Sequence, residues 1–388
     1  MVTKGYIYIM SILAIVITGC KKPYNPTIVA TSTNYLVVEG TINSGQDSTI
    51  IHLSRTVNIA DTTKLNPEAG ALVTVESDQN NTYPIPEIGK GEYASLSLNL
   101  NATHKYHLHI KTADGKEYLS DFEAVKPTPP IDSIGYTVQS SGIQLYVNTH
   151  DPNNNTHYYR WDYTETWNFH AKYPTPLITD GTRLNLRTPD QQIFTCFGNQ
   201  VSGTILLGSS AALSKDFIYQ SPLTQVASTS EKLETKYSIL VKQYALTSEA
   251  YNFWTNLKKN TEQLGSIFAA QPSELTGNIH CVTNPAEPVV GYIDVTNVQQ
   301  KRIFISNSQL PQTWQAVYPY QCSFDSLLFS HQGMQNDVAL FLIPLGSTEF
   351  AISGITDKFG NLLGYLAADA ECADCTIRGT TKQPLFWK

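Results

Sequence analysis

The sequence is poor in charged residues and has no basic excess. Asp, Glu, Lys and Arg make up only 15% of its 388 residues, and the formal net charge is −7. A nucleic-acid-binding protein needs a clustered basic face, so this composition indicates no nucleic acid partner. Beyond the N-terminal segment there is no long apolar run that predicts a further membrane span. Tyr is abundant instead, with 22 copies, and much Tyr with little charge is typical of an extracytoplasmic β-rich protein.

Recognisable catalytic motifs are also missing. The sequence has no G-x-S-x-G nucleophile elbow, no H-E-x-x-H zinc motif and no glycine-rich phosphate loop. Carboxylates are plentiful, but a hydrolase dyad forms in space and linear spacing does not reveal one. The sequence therefore favours a protein that is not an enzyme, that needs no cofactor, and whose ligand is unknown at this stage.

The first residues have the form of a secretory signal peptide over residues 1–19. Lys4 supplies a positive start, and residues 6–17 form a nearly unbroken apolar run that is short for a membrane span. The small residues before Cys20 resemble the lipobox of bacterial lipoproteins. This resemblance implies cleavage before Cys20 and a lipid on its thiol. It also implies three fatty-acid chains of the palmitate type at this residue in all, which is a firm anchor. The alternatives are an ordinary signal peptide with a chance cysteine, or a transmembrane anchor.

The rest of the chain is predicted to be mainly β. Residues 20–33 carry two prolines and small polar residues, as a lipidated tether would. Residues 34–126 contain short β-branched runs at even spacing, separated by turn signals, which predicts an N-terminal Ig-like β-sandwich. A proline-rich stretch places the boundary near Lys126. Residues 127–388 are then predicted to form a larger β-rich sandwich domain with a cysteine-containing tail.

One α-helix is predicted within the second domain, near residues 247–263. Thr247 or Ser248 can cap its N-terminus. The apolar side chains repeat at i, i+3, i+4 and i+7, which predicts a single buried face, and they are Ala250, Phe253, Trp254 and Leu257. The helix is therefore expected to pack against the β-rich part of its domain.

Two stretches suggest a metal site, and neither is convincing. His107 and His109 fall on one face of a predicted strand, where two imidazoles could share a metal, but His104 faces the other side. The loop after Asp151 has alternating oxygen ligands, as a calcium loop does, but it has Thr156 where such a loop needs Gly. Surface histidines and a polar hairpin loop are the preferred interpretations, so no metal is predicted.

Residues 158–169, YYRWDYTETWNF, are crowded with aromatic side chains. Alternate residues of a strand share a face, and the two faces are formed by Tyr159, Trp161 and Tyr163 and by Tyr158, Arg160 and Asp162. Two interpretations stay open for the first of these faces and the nearby Trp167. Core packing is preferred, and a binding surface for sugars or peptides is the alternative.

Four blocks of the sequence resemble one family. They are YLVVEGTI (35–42), YYRWDYTETWNF (158–169), the segment 236–295 that begins KYSILVKQYAL, and CADCTIRGTTKQPLFW (372–387). The chain is identified from them as a member of the Bacteroidota lipoprotein family called domain of unknown function 4249. Membership implies an outer-membrane lipoprotein, often encoded beside a TonB-dependent receptor, with no established catalytic or ligand residue. The residues after Cys20 include no acid in the stretch 21–25, so the face of the outer membrane stays undetermined.

Three functions follow from this sequence as hypotheses. The leading one is a non-enzymatic accessory or binding subunit that pairs with a TonB-dependent uptake receptor. The second is an extracytoplasmic hydrolase that acts on peptide or glycan, with carboxylates that converge only in the fold. The third is a structural protein of the cell envelope.

Apart from the acylated cysteine, five cysteines remain for the mature chain. Outside the inner membrane thiols tend to be oxidised, so disulfides are expected rather than a zinc site. We predict that Cys322 bonds one member of the pair Cys372 and Cys375, and that Cys281 bonds the other. Cys196, in an apolar context, is the predicted free thiol. A local bridge between Cys372 and Cys375 is the alternative.

Overall fold

The computed structural model describes residues 34–57, 66–262, 275, 277–318, 320–329, 333 and 335–387. The predicted signal peptide, the acylation site Cys20 and the tether lie outside these residues. Strand is the dominant regular structure and helices are few, so the predicted mainly-β, sandwich-rich fold is confirmed. In the described part of the chain, no helix is long and apolar enough to cross a membrane.

The strands follow one another along the whole chain. Those of the N-terminal part are β1 Leu36–Asn43, β2 Thr49–Arg55, β3 Leu72–Ser77, β4 Thr82–Pro84, β5 Glu87–Gly89, β6 Glu92–Ser95, β7 Lys105–Lys111, β8 Glu117–Ser120 and β9 Glu123–Ala124. Those of the middle are β10 Ile131–Gln139, β11 Gly142–Thr149, β12 Tyr158–His170, β13 Leu177–Thr179, β14 Leu184–Leu186, β15 Thr195–Val201, β16 Leu206–Ser209, β17 Ile218–Ala227 and β18 Lys236–Ala245. Those of the C-terminal part are β19 Ile279–Cys281, β20 Val290–Gly291, β21 Asp294–Thr296, β22 Gln299–Ser306, β23 Asp325–Leu328, β24 Glu349–Thr356 and β25 Leu362–Asp369.

Within the described ranges, one helix is long and the others are short. The α-helices are α1 Ser248–Glu262 and α2 Ala370–Ala373. Single 3-10 turns span Pro189–Gln191, Glu231–Leu233, Asn307–Gln309 and Cys375–Ile377, and a π-helical turn spans Val338–Leu342. The predicted helix is therefore present as α1, which begins one residue after the predicted start and is described as far as Glu262.

The N-terminal sandwich consists of two sheets. Sheet I has the order β20-β1-β2-β6-β5, with β21 also paired to β1, and sheet II has the order β19-β8-β7-β3-β4, with β9 also paired to β7. The predicted hairpin of β1 and β2 forms, with Val38 opposite Leu53. In β2 alternate residues point inward, so Ile51 and Leu53 enter the core between the sheets while Ile50 and His52 face outward.

Three strands of this sandwich come from far along the chain. β19 pairs with β8, while β20 and β21 run parallel to β1. Between them, the Glu287 carboxylate accepts hydrogen bonds from the Tyr118 hydroxyl and the Lys116 ammonium, both at 2.7 Å. The predicted assignment of all residues after Lys126 to the second domain is therefore wrong for 277–296. Strand partners so distant in sequence leave no local signal.

The central sandwich packs sheet III, of order β10-β11-β17, against sheet IV, of order β15-β12-β18-β22 with β16 paired to β12. Their shared core includes Ile143, Leu145, Trp161 and Ile239, all fully buried. The linker after β9 is held to sheet IV because the Gln243 amide donates to the Pro129 carbonyl at 2.8 Å. The two sandwiches are thus joined at the linker as well as through the returning strands.

A third, smaller body lies at the C-terminal end. Its sheet V has the order β23-β25-β24, and it shares a small apolar cluster with the hairpin of β13 and β14. The tail then returns to sheet IV, where the Phe197 and Thr380 backbones exchange hydrogen bonds. The Trp387 ring packs edge-on against Phe197 and Phe304. The tail is therefore pinned to the central sandwich, as predicted for it.

Candidate functional site

The aromatic strand β12 has a core face and, over its first half, a half-buried face on the opposite side. Tyr159 and Trp161 are fully buried, and Tyr163 and Trp167 are only 8% exposed. The Trp161 indole N–H donates to the Gln243 side-chain carbonyl at 2.8 Å, so its polar atom is satisfied inside the core. The preferred interpretation of this face as core is correct, and its alternative role as a binding surface is wrong for Tyr159 and Trp161.

The opposite face of β12 lines a cleft of about 900 Å3. One wall is the outer face of sheet IV, with Arg160, Asp162 and Lys242, and the other is the outer face of sheet I, with Glu39 and His52. The cleft therefore lies between the two sandwiches. Its walls are sheets, whose cross-strand hydrogen bonds hold both sides in place.

Helix α1 closes one end of this cleft. Thr247 caps the helix, since its hydroxyl oxygen accepts from the Ala250 N–H at 3.1 Å. Ala250 and Phe253 are buried and Trp254 and Leu257 are half-buried, which matches the predicted apolar face, and the last three line the cleft. Residues 201–205 also line the cleft beside the helix. This segment is tied to the helix because the Lys258 ammonium donates to the Ile205 carbonyl at 2.6 Å.

Arg160 is the most constrained cation of the cleft. Its guanidinium carbon lies 4.3 Å from the Tyr244 ring centroid and 4.2 Å from the Trp254 ring centroid, so the group is stacked between two rings. Its Nη2 atom is 3.6 Å from Oδ2 of Asp162. Burial, followed by the nearby Asp162 carboxylate, raises the pKa of the Tyr244 phenol above its ordinary range. Arg160, Asp162 and Tyr244 thus form one polar group on the cleft wall.

A buried carboxyl lies behind this group. Asp294, on β21, is fully enclosed, and burial raises its pKa to about 7, while the charge of Arg160 and the Trp254 indole act in the opposite direction. Glu123 adds a smaller repulsion that also raises this pKa. The charge behind Arg160 therefore changes near neutral pH.

Other carboxylates line the cleft at a distance from Arg160. Glu39 and Asp47 belong to the N-terminal sandwich, and Asp47 accepts a hydrogen bond from the Gln300 amide at 3.1 Å. This bond links the two sandwiches, because it joins the loop between β1 and β2 to strand β22. The lining thus combines acids, cations and aromatic rings in one space.

The histidines of β7 have protein partners. His107 Nε2 is 3.4 Å and His109 Nδ1 is 2.9 Å from the Glu76 carboxylate, so both do share a face, while His104 pairs with Asp78. Burial opposes the effect, but the hydrogen bonds from His109 and Thr74 hold the pKa of Glu76 below its ordinary value. Within the described ranges, no group of three or more His, Cys, Asp or Glu side chains is arranged to hold a metal.

The loop after Asp151 is organised by its own backbone. The Asp151 carboxylate accepts from the N–H groups of Asn153, Asn155 and Thr156 at 2.9–3.0 Å, which keeps its pKa below the ordinary value despite partial burial. The loop is polar, as predicted, but it is not a hairpin, because β11 belongs to sheet III and β12 to sheet IV. The chain crosses from one sheet of the sandwich to the other at this point.

The cysteines form two bridges, Cys196–Cys375 and Cys322–Cys372. The second agrees with the predicted pairing of Cys322 with one member of the C-x-x-C pair. The predicted bridge of Cys281 and the predicted free thiol at Cys196 are both wrong. Cys281 lies on β19, which returns to the N-terminal sandwich, so it is a buried free thiol far from the tail. Because Cys372 and Cys375 bond different partners, the local loop between them does not form.

Sequence reasoning preferred a core role for the face of Tyr159, Trp161 and Tyr163, and it did not consider the opposite face of the strand as a binding surface. A signal for the correct face is present, since Arg160 and Asp162 alternate with buried aromatics and must point away from the core. Lys242 carries a similar signal, because it interrupts the apolar strand β18 directly opposite Asp162. The helix that covers this face is separated from β12 by nearly eighty residues, and no local pattern brings the two together.

A family model described as Domain of unknown function (DUF4249) matches residues 21–302. This span contains the N-terminal sandwich, helix α1, every residue of the cleft, and the central sandwich as far as the first half of β22. It ends before sheet V and the tail. No curated protein matches the chain.

Proposed function

Because the chain belongs to the family Domain of unknown function (DUF4249), for which the description names no activity, we propose a function from the molecule itself. The protein is a lipid-anchored binding subunit of the bacterial outer membrane that works beside a TonB-dependent uptake receptor. The observation that carries this proposal is the cleft between the two sandwiches.

The cleft has the properties of a ligand site. Its volume of about 900 Å3 lies in the usual range for small-molecule pockets, and such pockets occur preferentially at domain interfaces. Apolar side chains such as Phe253, Leu257 and Val298 supply contact area, while a few charged groups supply orientation. The stacked Arg160 is already positioned, so a ligand would bind with little further ordering of this side chain.

The anchor is supported by the N-terminal sequence. The small residues before Cys20 resemble a lipobox, and the tether of residues 21–33 gives the folded part distance from the lipid. A binding protein held near a receptor acts at high effective concentration, so even a modest affinity for the ligand is useful. This arrangement suits delivery of a captured ligand to a transporter.

The anchor is tested by metabolic labelling of the host with an alkyne analogue of palmitate. Wild-type protein is expected to carry the label and to fractionate with the outer membrane. The variant Cys20→Ala is expected to lose both properties, whereas Cys281→Ala, a buried free thiol, keeps them. Label that persists in the Cys20 variant would refute acylation at this position.

The partner is tested separately by affinity purification from membranes in mild detergent. A TonB-dependent receptor is expected to co-purify with the wild-type chain, and less of it with Cys20→Ala, because the anchor concentrates both proteins in one membrane. A chain that is recovered alone contradicts the receptor part of the proposal.

The same cleft also favours a second function, a hydrolase for peptide or glycan. The observation is that Glu39, Asp47 and Asp162 all line it, and hydrolysis commonly uses two carboxylates. Turnover of peptide and oligosaccharide libraries by the purified protein tests this function. Activity that Asp162→Asn reduces by about a hundredfold or more, the scale of acid–base catalysis, would establish it over the binding role.

A further inference from the structure

Among the residues that the structure describes, the Arg160 guanidinium leaves most of its hydrogen-bonding capacity unused. An arginine offers five N–H donors in a fixed fork. The side chain is only 11% exposed, and its Nε atom is buried with no hydrogen-bond partner in the described part of the chain. Its contact with Asp162, at 3.6 Å, is an ion pair too long for a good hydrogen bond. A guanidinium in this state gains much from an oxyanion, because partly desolvated charged groups form strong hydrogen bonds.

A second cation lies one strand away. Lys242 is the cross-strand neighbour of Asp162 and lines the same cleft. In the part of the chain that the structure describes, no carboxylate lies within ion-pair distance of the Lys242 ammonium. Two cations therefore flank one carboxylate on this wall, and the wall attracts a negative group.

The opposite wall has the reverse charge. Glu39 and Asp47 line the N-terminal side of the cleft, across from Arg160 and Lys242. A ligand with two negative charges would be repelled by these acids and by Asp162. A ligand with one carboxylate at one end and N–H donors at the other matches both walls. Phe253 and Leu257 offer apolar surface between them.

We propose that the cleft binds a short peptide by its terminal carboxylate, which Arg160 and Lys242 hold, while the acids of the opposite wall accept from the N–H groups of the peptide. The inference deepens the proposed binding role and rests on it. Arg160 is suited to this task because its planar fork matches a carboxylate and its two ring neighbours fix its direction. The ligand class follows from the distribution of charge over the two walls.

Calorimetric titration of the full-length protein in mild detergent tests this proposal. The probes are the tripeptide Gly-Leu-Phe and its C-terminal amide, which differ only in the carboxylate. The acid is expected to bind at least about tenfold more tightly than the amide, since hydrogen bonds to a charged group contribute about 1.5–3 kcal/mol. Arg160→Gln is expected to reduce the preference for the acid over the amide to about threefold, the part that Lys242 still supplies, and to leave affinity for the amide unchanged. The control Arg183→Gln, an exposed arginine outside the cleft, should change neither.

One further variant and two further probes complete the test. Lys242→Gln, at a half-exposed strand position, is expected to reduce affinity for the tripeptide acid by about threefold. This variant replaces Arg160→Gln in the test if Arg160→Gln does not fold. 4-Phenylbutyrate is an organic acid without peptide bonds. If it binds as tightly as the tripeptide acid, the assignment of the ligand to peptides is overturned. Phenyl phosphate that binds more tightly than the tripeptide overturns the assignment to a carboxylate.

Equal affinity for acid and amide, or no binding of any probe, also refutes the proposal. The result is separable from the proposed function, because lipid labelling and receptor co-purification do not depend on this ligand. If those two experiments succeed while acid and amide bind equally, the peptide inference alone is lost.

Discussion

Neighbouring residues of β12 have opposite environments. Trp161 is enclosed in the core of the central sandwich, while Arg160 lies on the wall of the cleft. The alternation of a strand is sufficient to separate them. The aromatic side chains on the core face are accommodated by glycines of adjacent strands, because a ring can lie flat only where no Cβ projects toward it. Gly198 is opposite Trp167 in this way, and its missing side chain leaves the space that the indole fills.

Gly198→Ala is expected to destabilise the protein by about 1–3 kcal/mol, the usual effect of overpacking. An added Cβ would lie 2.3 Å from the Trp167 ring, and the ring is confined by the core. Denaturant unfolding measures the change. Gly203→Ala is the matched control, because an added Cβ there meets nothing within 4 Å. Equal stability of both variants contradicts this account of the packing.

Asp294→Asn is expected to change the pH dependence of stability. The folded-state pKa of Asp294 is about 7, above the ordinary value of 3.8, so the folded protein binds this proton more tightly than the unfolded chain does. The wild type therefore loses stability between about pH 4 and pH 7, and the loss is complete above pH 7. The Asn variant lacks this loss.

The expected result is a stability advantage for Asp294→Asn that is small at pH 4 and grows toward pH 8. The difference between 3.8 and about 7, at 1.4 kcal/mol per pKa unit, limits this advantage to about 4–5 kcal/mol. The measurement is the free energy of unfolding of the wild type and of Asp294→Asn at both pH values. Asp180→Asn should differ from the wild type by a nearly constant amount over this range, since hydrogen bonds from Thr182 lower the pKa of Asp180 and the stability it contributes is lost only below about pH 4. An advantage for Asp294→Asn that is equal at the two pH values would contradict burial as the cause.

At the scale of elements, the two disulfides hold the C-terminal region to different places. Cys196–Cys375 joins the tail to β15, and Cys322–Cys372 joins the segment before β23 to α2. The first closes the longer stretch of chain, with a sequence separation of 179 against 50. A longer closed loop restricts the unfolded chain more, so the first bridge is expected to contribute more stability.

Replacing Cys196 and Cys375 together by Ser is expected to reduce the free energy of unfolding by about 2–5 kcal/mol, and the Cys322 and Cys372 pair by less. Denaturant unfolding in non-reducing buffer measures both. Peptide mapping without reductant provides the direct check: a linked peptide containing Cys196 and Cys375 is expected, with Cys281 alkylated after unfolding. Cys281 recovered in a bridge would contradict this connectivity.

At the scale of the whole molecule, the N-terminal sandwich is completed by residues 277–296, near the end of the span that the family model matches. β19 and β21 supply buried side chains to its core, among them Ile279 and Val295, and Ile293, directly before β21, adds another. Without them β1 and β8 would expose unpaired edges. The two sandwiches therefore form an interlocked unit, and the cleft lies where the chain passes between them.

A fragment of residues 34–126 is accordingly expected not to fold by itself. The same fragment with residues 277–296 joined by a flexible Gly/Ser linker is expected to fold, because the missing strands and the Glu287 contacts are restored. Amide chemical-shift dispersion in NMR spectra distinguishes the two states. Equal dispersion for both fragments would show that the returning strands are dispensable.

The sequence by itself determined what depends on local periodicity. The alternation in β12 and the helical spacing in α1 each specify which side chains face an apolar environment, because burial of one face is needed wherever the element packs. The C-x-x-C pair likewise indicated a tail bridged to the rest of the chain. Tertiary structure decided the partners. It brought β20 and β21 to β1, Cys375 to Cys196 and Trp254 to Arg160, pairings across about a hundred residues or more. A periodic pattern shows that one face of an element must be covered, but it carries no information on which distant segment covers it. The cleft between the sandwiches exists only because of these distant pairings.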